Sequence, residues 1–282
     1  MYHIYGDCRF ERLANLSVSH LYNLKRSEVF RTKSLTYTKT NPTTVAIGER
    51  RKPEPNGIPG FIRIDSVHQG DLEKEKGVYY INLVDEVTQY EVVVSVQKIS
   101  EQYLVPALLE ALNLFPFEIK NFHSDNGSEY INHVVARLLE KLRIHQTKSR
   151  SRHSNDNALA EGKNGAIIRT VMGYAHIPQK FAFRINQFCR DYLTPFLNFH
   201  RPCAFAVDVV DAKGKVVRTY PQSAYQTPWQ KLRSLLNIES FLKPGVTLTS
   251  LETLAEKQTH LAAATDVETA RAQLFKEISR SK

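Results

Sequence analysis

Apolar positions along the 282-residue chain change rhythm twice. Through residues 9–31 they recur every three or four, at Phe10, Leu13, Leu16, Leu21 and Leu24, the spacing of one helical face. Ser17 is placed to cap a helix over Val18–Arg26, because its hydroxyl can accept from the free amides of a first turn. From Arg31 to Gly60 the periodicity is lost, and Thr, Lys, Arg, Pro and Gly dominate. The rhythm then becomes that of strands. Phe61–Val67, Val78–Val84 and Tyr90–Val96 are β-branched and aromatic runs separated by short turns, a three-stranded meander. A helix is expected over Ser100–Leu114, a fourth strand over Glu118–Phe122 and a helix over Asn132–Leu142. A short strand over Ile144–Thr147 and a helix from Ala158 to Tyr174 follow, with polar Lys148–Asn157 between them. Past Arg201, Ala204–Asp211 and Lys215–Tyr220 flank Ala212-Lys213-Gly214 as a hairpin, and residues 221–282 read as helices and loops.

Four parts result: a partial helix-turn-helix-like region over 1–32, a basic linker over 33–60, a core over 61–200 and a carboxy-terminal region over 201–282. The core order βββαβαβα predicts an α/β fold, a mixed sheet with helices on its faces. Around it stand a helical amino-terminal remnant and a small β-hairpin and helical region at the other end. Within Arg12–Ser27, the polar face of the last helix carries Ser19, His20, Asn23, Lys25 and Arg26, a set suited to a DNA groove. An ordinary amphipathic surface helix fits the same pattern. A complete module needs more chain in front than residues 1–8 supply, so a clipped one is expected.

An apolar fraction of 42% with 24% charged residues is enough to bury a sizeable core, which excludes disorder over the whole chain. No apolar run approaches the 18 or so residues of a membrane span. The best, Tyr103–Phe117, is interrupted by Pro106, Glu110 and Pro116. The first residues have neither the basic nor the apolar region of a signal peptide. Cys8, Cys189 and Cys203 are too few and too scattered for a disulfide framework or a CxxC metal site, and the expected compartment is reducing cytoplasm. Charge gives the first positive direction. Lys and Arg number 38 against 29 acids, a net +9, and +5 of it lies in residues 1–60. Each cation that neutralises a phosphate releases condensed counterions, so such a balance favours a nucleic-acid partner.

Three acids stand out by position. Asp65 interrupts the apolar first strand, Asp125 comes directly off the fourth strand in His123-Ser-Asp125-Asn-Gly-Ser-Glu-Tyr130, and Glu161 opens a helix in Asn157-Ala-Leu-Ala-Glu161-Gly-Lys-Asn164. Singly, each has an ordinary structural reading: an edge-strand acid, turn chemistry, and a carboxylate complementing a helix dipole. Together, strands and a helix converging at one sheet end would cluster three carboxylates, which repel unless cations compensate them. Hard oxygen donors suit Mg²⁺ or Mn²⁺, and two such ions about 4 Å apart can promote attack on a phosphodiester and stabilise its leaving oxygen.

Fifty-nine residues separate Asp65 from Asp125, and thirty-five separate Asp125 from Glu161. With the words around each acid, this D-x59-D-x35-E pattern resembles the integrase-type DDE transposases of bacterial insertion sequences, the IS481-like group and its relatives, and retroviral integrase cores. The resemblance covers residues 10–200 well and the tail less specifically. It implies a ribonuclease H-like core, two Mg²⁺ or Mn²⁺ ions held by Asp65, Asp125 and Glu161, and cut-and-join chemistry. The implied partner is double-stranded DNA, both transposon ends and target, on which a homo-oligomer assembles in the bacterial nucleoid. Two departures stand out. The basic residue this family often carries seven positions after the Glu is here Ile168, with Arg169 next to it and Lys163 two positions after Glu161. The His/Cys zinc module of retroviral enzymes has no counterpart.

The remaining candidates are graded by position. Asp85 and Glu86 end a strand and read as turn residues; Asp156 and Glu129 read as supporting or capping groups. His123 and His68 read as hydrogen-bonding groups, since metal-bound water needs little further help from a base. Lys148, Arg150 and Arg152, in the loop before the Glu161 helix, are expected on the DNA backbone with Lys25, Arg26, Lys163 and Arg169. Trp229 reads as a core anchor. Two rivals remain: a nuclease of the same fold that hydrolyses without joining, and a non-catalytic DNA-binding remnant. The helix-turn-helix words and basic linker favour the joining enzyme, and the complete acid triad argues against decay.

Overall fold

Six strands form one sheet in the computed structural model: β1 (Glu49–Arg50), β2 (Phe61–His68), β3 (Tyr79–Asp85), β4 (Glu91–Val96), β5 (Asn121–Ser124) and β6 (His145–Lys148). The structure describes residues 2–27, 30, 47–125, 130–150, 153–211 and 214–280. In space the strands run β1-β6-β5-β2-β3-β4. β2, β3 and β4 are the antiparallel meander, while β5, β6 and β1 add in parallel on the other side of β2. With α2 (Glu101–Asn113), α3 (His133–Lys141) and α4 (Ala158–Lys163) the order is βββαβαβα, preceded by the two-residue β1. This is the α/β, ribonuclease H-like mixed sheet that the sequence predicts.

The apolar runs are continuous because both faces of the sheet are covered. Ile62, Ile64, Ile81, Leu83, Val92 and Val94 pack on one face with α2, α3 and the Trp229 region. Val67, Val78, Tyr80 and Val93 pack on the other, against Ile167, Ile168 and Met172 and the helix α5 (Ala182–Phe188). Successive strand residues point to opposite faces, so Asp65 lies on the second face, among these helices. Residues 201–282 contribute to both cores. Trp229 and Leu232 of α6 (Pro228–Arg233) and Leu251 of α7 (Leu248–Glu256) join the first; Val267, Leu274 and Ile278 of α8 (His260–Arg280) join the second. Trp229, 4% exposed, is the core anchor expected of it.

Three boundaries differ from the sequence expectation. The fourth strand begins at Asn121 rather than Glu118, because the Glu118 amide donates instead to the Phe241 carbonyl (2.9 Å). The helix expected over Ala158–Tyr174 is α4, then a π-helical segment Asn164–Arg169, then Thr170–Met172. The linker contributes β1 to the sheet edge, parallel to β6. The expected hairpin is present as Val207–Val210 paired with Val216–Thr219.

The chain divides into two compact units, Met1–Thr44 and Val45–Lys282. Within the first, α1 (Val18–Arg26) is capped as expected, Ser17 Oγ accepting from the His20 amide at 3.2 Å. Among the described residues no helix is long and apolar enough to cross a membrane.

Candidate active site

Parallel pairing of β2 with β5 sets the site. Ile64 is the register partner of Ser124, so Asp65, inside β2, and Asp125, just past the end of β5, come next at the same level. Adjacent strands lie about 4.8 Å apart, which puts the two backbones within reach of a shared ligand. α4 packs across β2 and β3 and brings Glu161, exposed in its first turn. Asn157, just before α4, ties it down by donating to the Ile64 carbonyl at 3.0 Å.

The Asp65 carboxyl is pushed up to about 6, first by burial and then by the charges of Asp125 and Glu161. Hydrogen bonds from the Ser66 amide (2.9 Å) and Asn164 Nδ2 (2.7 Å) oppose the rise. Asp65 thus feels the charges of both Asp125 and Glu161. Among the described residues, no three His, Cys, Asp or Glu side chains are drawn tightly enough together to hold a metal ion. The donor chemistry still suits a hard divalent cation. A half-buried carboxyl raised by burial and by two further acids is a group that a cation would stabilise.

The neighbouring residues take clear structural roles. Asp85 accepts from the amides of Gly60 (2.7 Å), Phe61 (3.2 Å) and Thr88 (2.8 Å), which closes the β3–β4 turn, as expected. Glu86 receives Arg63 Nε at 3.0 Å. Asp156 is gripped by Arg150 through its amide and guanidinium and held well below the usual carboxylate range, chiefly by the Arg150 hydrogen bonds. His123 is fully buried between Thr147 Oγ1 (2.9 Å) and Ser149 Oγ (3.2 Å). Burial, with the Arg63 charge, depresses it to about 3, so it stays neutral and serves as a hydrogen-bonding group. His68 stacks on Tyr79 and lies 3.2 Å from Asp71. Glu129 lies outside the described residues.

The basic residues divide. Lys25 and Arg26 are exposed in the last turn of α1. Lys148 and Lys163 correct the expectation of DNA contact, because both are buried. Lys148 Nζ donates to the Ile47 carbonyl at 2.6 Å; Lys163 Nζ lies 3.4 Å from Glu91 and 3.2 Å from Cys203 Sγ. Arg150 is committed to Asp156, and Arg169 donates to Gln69 Oε1 and the His68 carbonyl while stacking over Tyr174. Arg152 lies outside the described residues. Sequence reasoning missed Asn82 and Asn164. Their signal was an amide inside an apolar strand run and another three residues after Glu161.

Residues 58–154 match the family model described as integrase core domain, a span that includes Asp65 and Asp125 and stops before Glu161. An uncharacterized protein, y4rM, of Sinorhizobium fredii is 32% identical over 121 residues, 43% of this chain and 35% of its own length. The match thus spans about a third of that relative. The catalytic core of HTLV-2 integrase in complex with magnesium is similar at 19% identity and TM-score 0.38, covering 61% of this chain and 95% of that one. A simian T-cell lymphotropic virus intasome in complex with PP2A regulatory subunit B56 gamma gives 16% identity and TM-score 0.45, covering 84% of this chain and 74% of that one. The likeness to an integrase core domain is thus carried by residues 58–154.

Proposed function

We propose that this chain is a DDE-type transposase of an insertion sequence, cleaving double-stranded DNA at element ends and joining the freed 3′-hydroxyl to target DNA. The supporting observation is that Asp65 in β2 and Asp125 directly after β5 stand at one level on adjacent strands, with Asp65 feeling both Asp125 and Glu161. Asp65, Asp125 and Glu161 would hold two Mg²⁺ or Mn²⁺ ions. When bound, such ions activate the attacking oxygen and stabilise the leaving oxygen of a phosphodiester. The protein's own part is to fix Asp65 through Ser66 and Asn164 and to exclude water behind it with the Ile167, Ile168 and Met172 layer. His123, made a weak base by burial and with both ring nitrogens on Thr147 and Ser149, acts as a hydrogen-bonding group. Lys25 and Arg26 are the phosphate-binding residues of the amino-terminal unit, and the active form is a homo-oligomer assembled on DNA.

The test is incubation of the full chain with Mn²⁺ or Mg²⁺ and labelled duplexes carrying the inverted repeats that flank its coding sequence. Joined products are the expected result. Nicks without joining would make it a hydrolytic nuclease of the same fold. DNA binding with neither product would make it a binding protein.

A further inference from the structure

Asn82 sits in the middle of β3, fully buried, in the apolar run Tyr-Tyr-Ile-Asn-Leu-Val. It is the direct ladder partner of Asp65. Burying an amide in such a strand is unfavourable unless its hydrogen bonds are made. Only part of that requirement is met: Nδ2 donates to Asn164 Oδ1 at 3.0 Å, while Oδ1 has no hydrogen-bond partner among the described residues. An apolar residue of the same size would avoid that unmet oxygen but would leave Asn164 without its donor and remove the Asn82 hydrogen bond to buried Glu91.

The pairing has a direction. An ionised carboxylate only accepts, so Asn164 must turn its NH₂ toward Asp65, and Nδ2 does lie 2.7 Å from Asp65 Oδ2. The Asn164 oxygen then faces back into the protein and needs a donor, which Asn82 supplies. Without that donor the Asn164 amide can rotate and present its oxygen to the carboxylate, a repulsive arrangement. Asn164 starts the π-helical segment that follows α4, so its bond to Asn82 ties the element carrying Glu161 to β3, and its bond to Asp65 ties it to β2. Behind Asn82 lies the buried Glu91, paired with Lys163 one residue before Asn164.

We propose that Asn82 is a positioning residue for Asp65, acting through the amide of Asn164. This rests on the proposed role of Asp65 as a metal ligand. Groups that orient a metal ligand change metal affinity without touching the ion.

Calorimetric titration of the full chain with Mn²⁺ tests it, beside thermal melting without metal. Asn82→Leu, which fills the same space, is expected to melt somewhat below wild type, since it leaves Asn164 Oδ1 without its donor, and to bind Mn²⁺ about tenfold more weakly. Asn82→Asp, which keeps the shape but turns the donor into an acceptor, is expected to weaken binding at least as much and decides the matter if the leucine variant misfolds. In an Asn164→Ala background, Asn82→Leu is expected to cause no further loss, since both act through one bond. Affinity within about twofold of wild type in both Asn82 variants, where Asp65→Asn abolishes binding, overturns this inference alone. Wild-type Mn²⁺ affinity in Asp65→Asn overturns the metal-site reading and this inference with it.

Discussion

Glu161 and Lys163 lie two residues apart on α4 and face opposite environments: Glu161 is exposed, whereas the Lys163 ammonium is buried 3.4 Å from Glu91. Two residues turn a helix by about 200°, so the residue two along from exposed Glu161 points into the protein. Glu91 is 1% exposed and its carboxyl is raised by burial, an effect the Lys163 charge offsets. Lys163 is therefore a structural cation. Replacing Lys163 with Met is expected to lower stability by about 3–5 kcal/mol, because it strands a buried carboxylate. Adding Glu91→Leu should recover most of that loss in urea denaturation. A Lys163→Met protein as stable as wild type, with weakened DNA binding, would return Lys163 to the DNA interface.

Asp65 gives a pH signature. Its ordinary value is 3.8 and the folded value about 6, so the native state holds this proton more tightly than the unfolded chain. Its favourable contribution is full below pH about 4 and is lost as the pH rises through about 6. Asp65→Asn removes that loss. The variant is expected to gain roughly 1–2 kcal/mol over wild type at pH 7, after allowing for solvent screening of a partly exposed group. Little gain is expected at pH 4. Both Asp65→Asn and Asp125→Asn should abolish cleavage while retaining the fold, since each keeps the shape and removes the charge that would hold a cation. Melting curves at the two pH values check the first part; metal-dependent cleavage surviving in both variants would sink the catalytic assignment.

The meander, α2, α3 and the acid spacing were legible because each follows from periodicity or from a word around one residue. Ser17 was legible as a cap for the same reason. The fourth strand was misplaced because its start is decided by a hydrogen bond from Glu118 to Phe241, far along the chain. The break of the 158–172 helix into a π-helical segment was invisible, since helical spacing hardly distinguishes a wider turn. The basic residues were the poorest guide. Lys148 and Lys163 read as DNA contacts, yet a carbonyl at Ile47 and a carboxylate at Glu91 hold them inside. Charge alone carries no information about which side of a helix or strand is buried.

Gly60 is a second residue whose role only the fold reveals. It has φ +102°, a conformation that favours glycine, and a Cβ there would collide with the Glu118 carbonyl oxygen. Its amide donates to Asp85 and its carbonyl accepts from Lys120 and Asn121, so it joins the start of β2 to both the β3–β4 turn and β5. Gly60→Ala is expected to destabilise by roughly 2–4 kcal/mol. Gly57 also has positive φ, but nothing lies within 4 Å of its added Cβ, so Gly57→Ala should lose only about 1 kcal/mol. Equal losses in a denaturant titration would show that backbone strain alone, and not the Glu118 carbonyl, sets the effect.

Truncation would separate the basic amino-terminal unit from the sheet. Residues 1–44 hold seven Lys and Arg against three acids and include α1 with Lys25 and Arg26, whereas the sheet starts at Glu49. A protein beginning at residue 45 should keep its melting behaviour and its Mn²⁺ affinity but bind DNA more weakly. Each phosphate that the shorter protein no longer neutralises should reduce the slope of log affinity against log salt by about 0.9. Cutting instead at residue 61 removes β1 and the Ile47 carbonyl that accepts from Lys148, so that fragment should be less stable than the longer one. Fluorescence anisotropy on one duplex at several salt concentrations, with melting of both fragments, separates these effects. If residues 45–282 bind with unchanged affinity and slope, α1 carries none of the DNA binding. Recognition would then move to the carboxy-terminal region, where exposed Lys215 and Arg218 on the hairpin become the residues to replace.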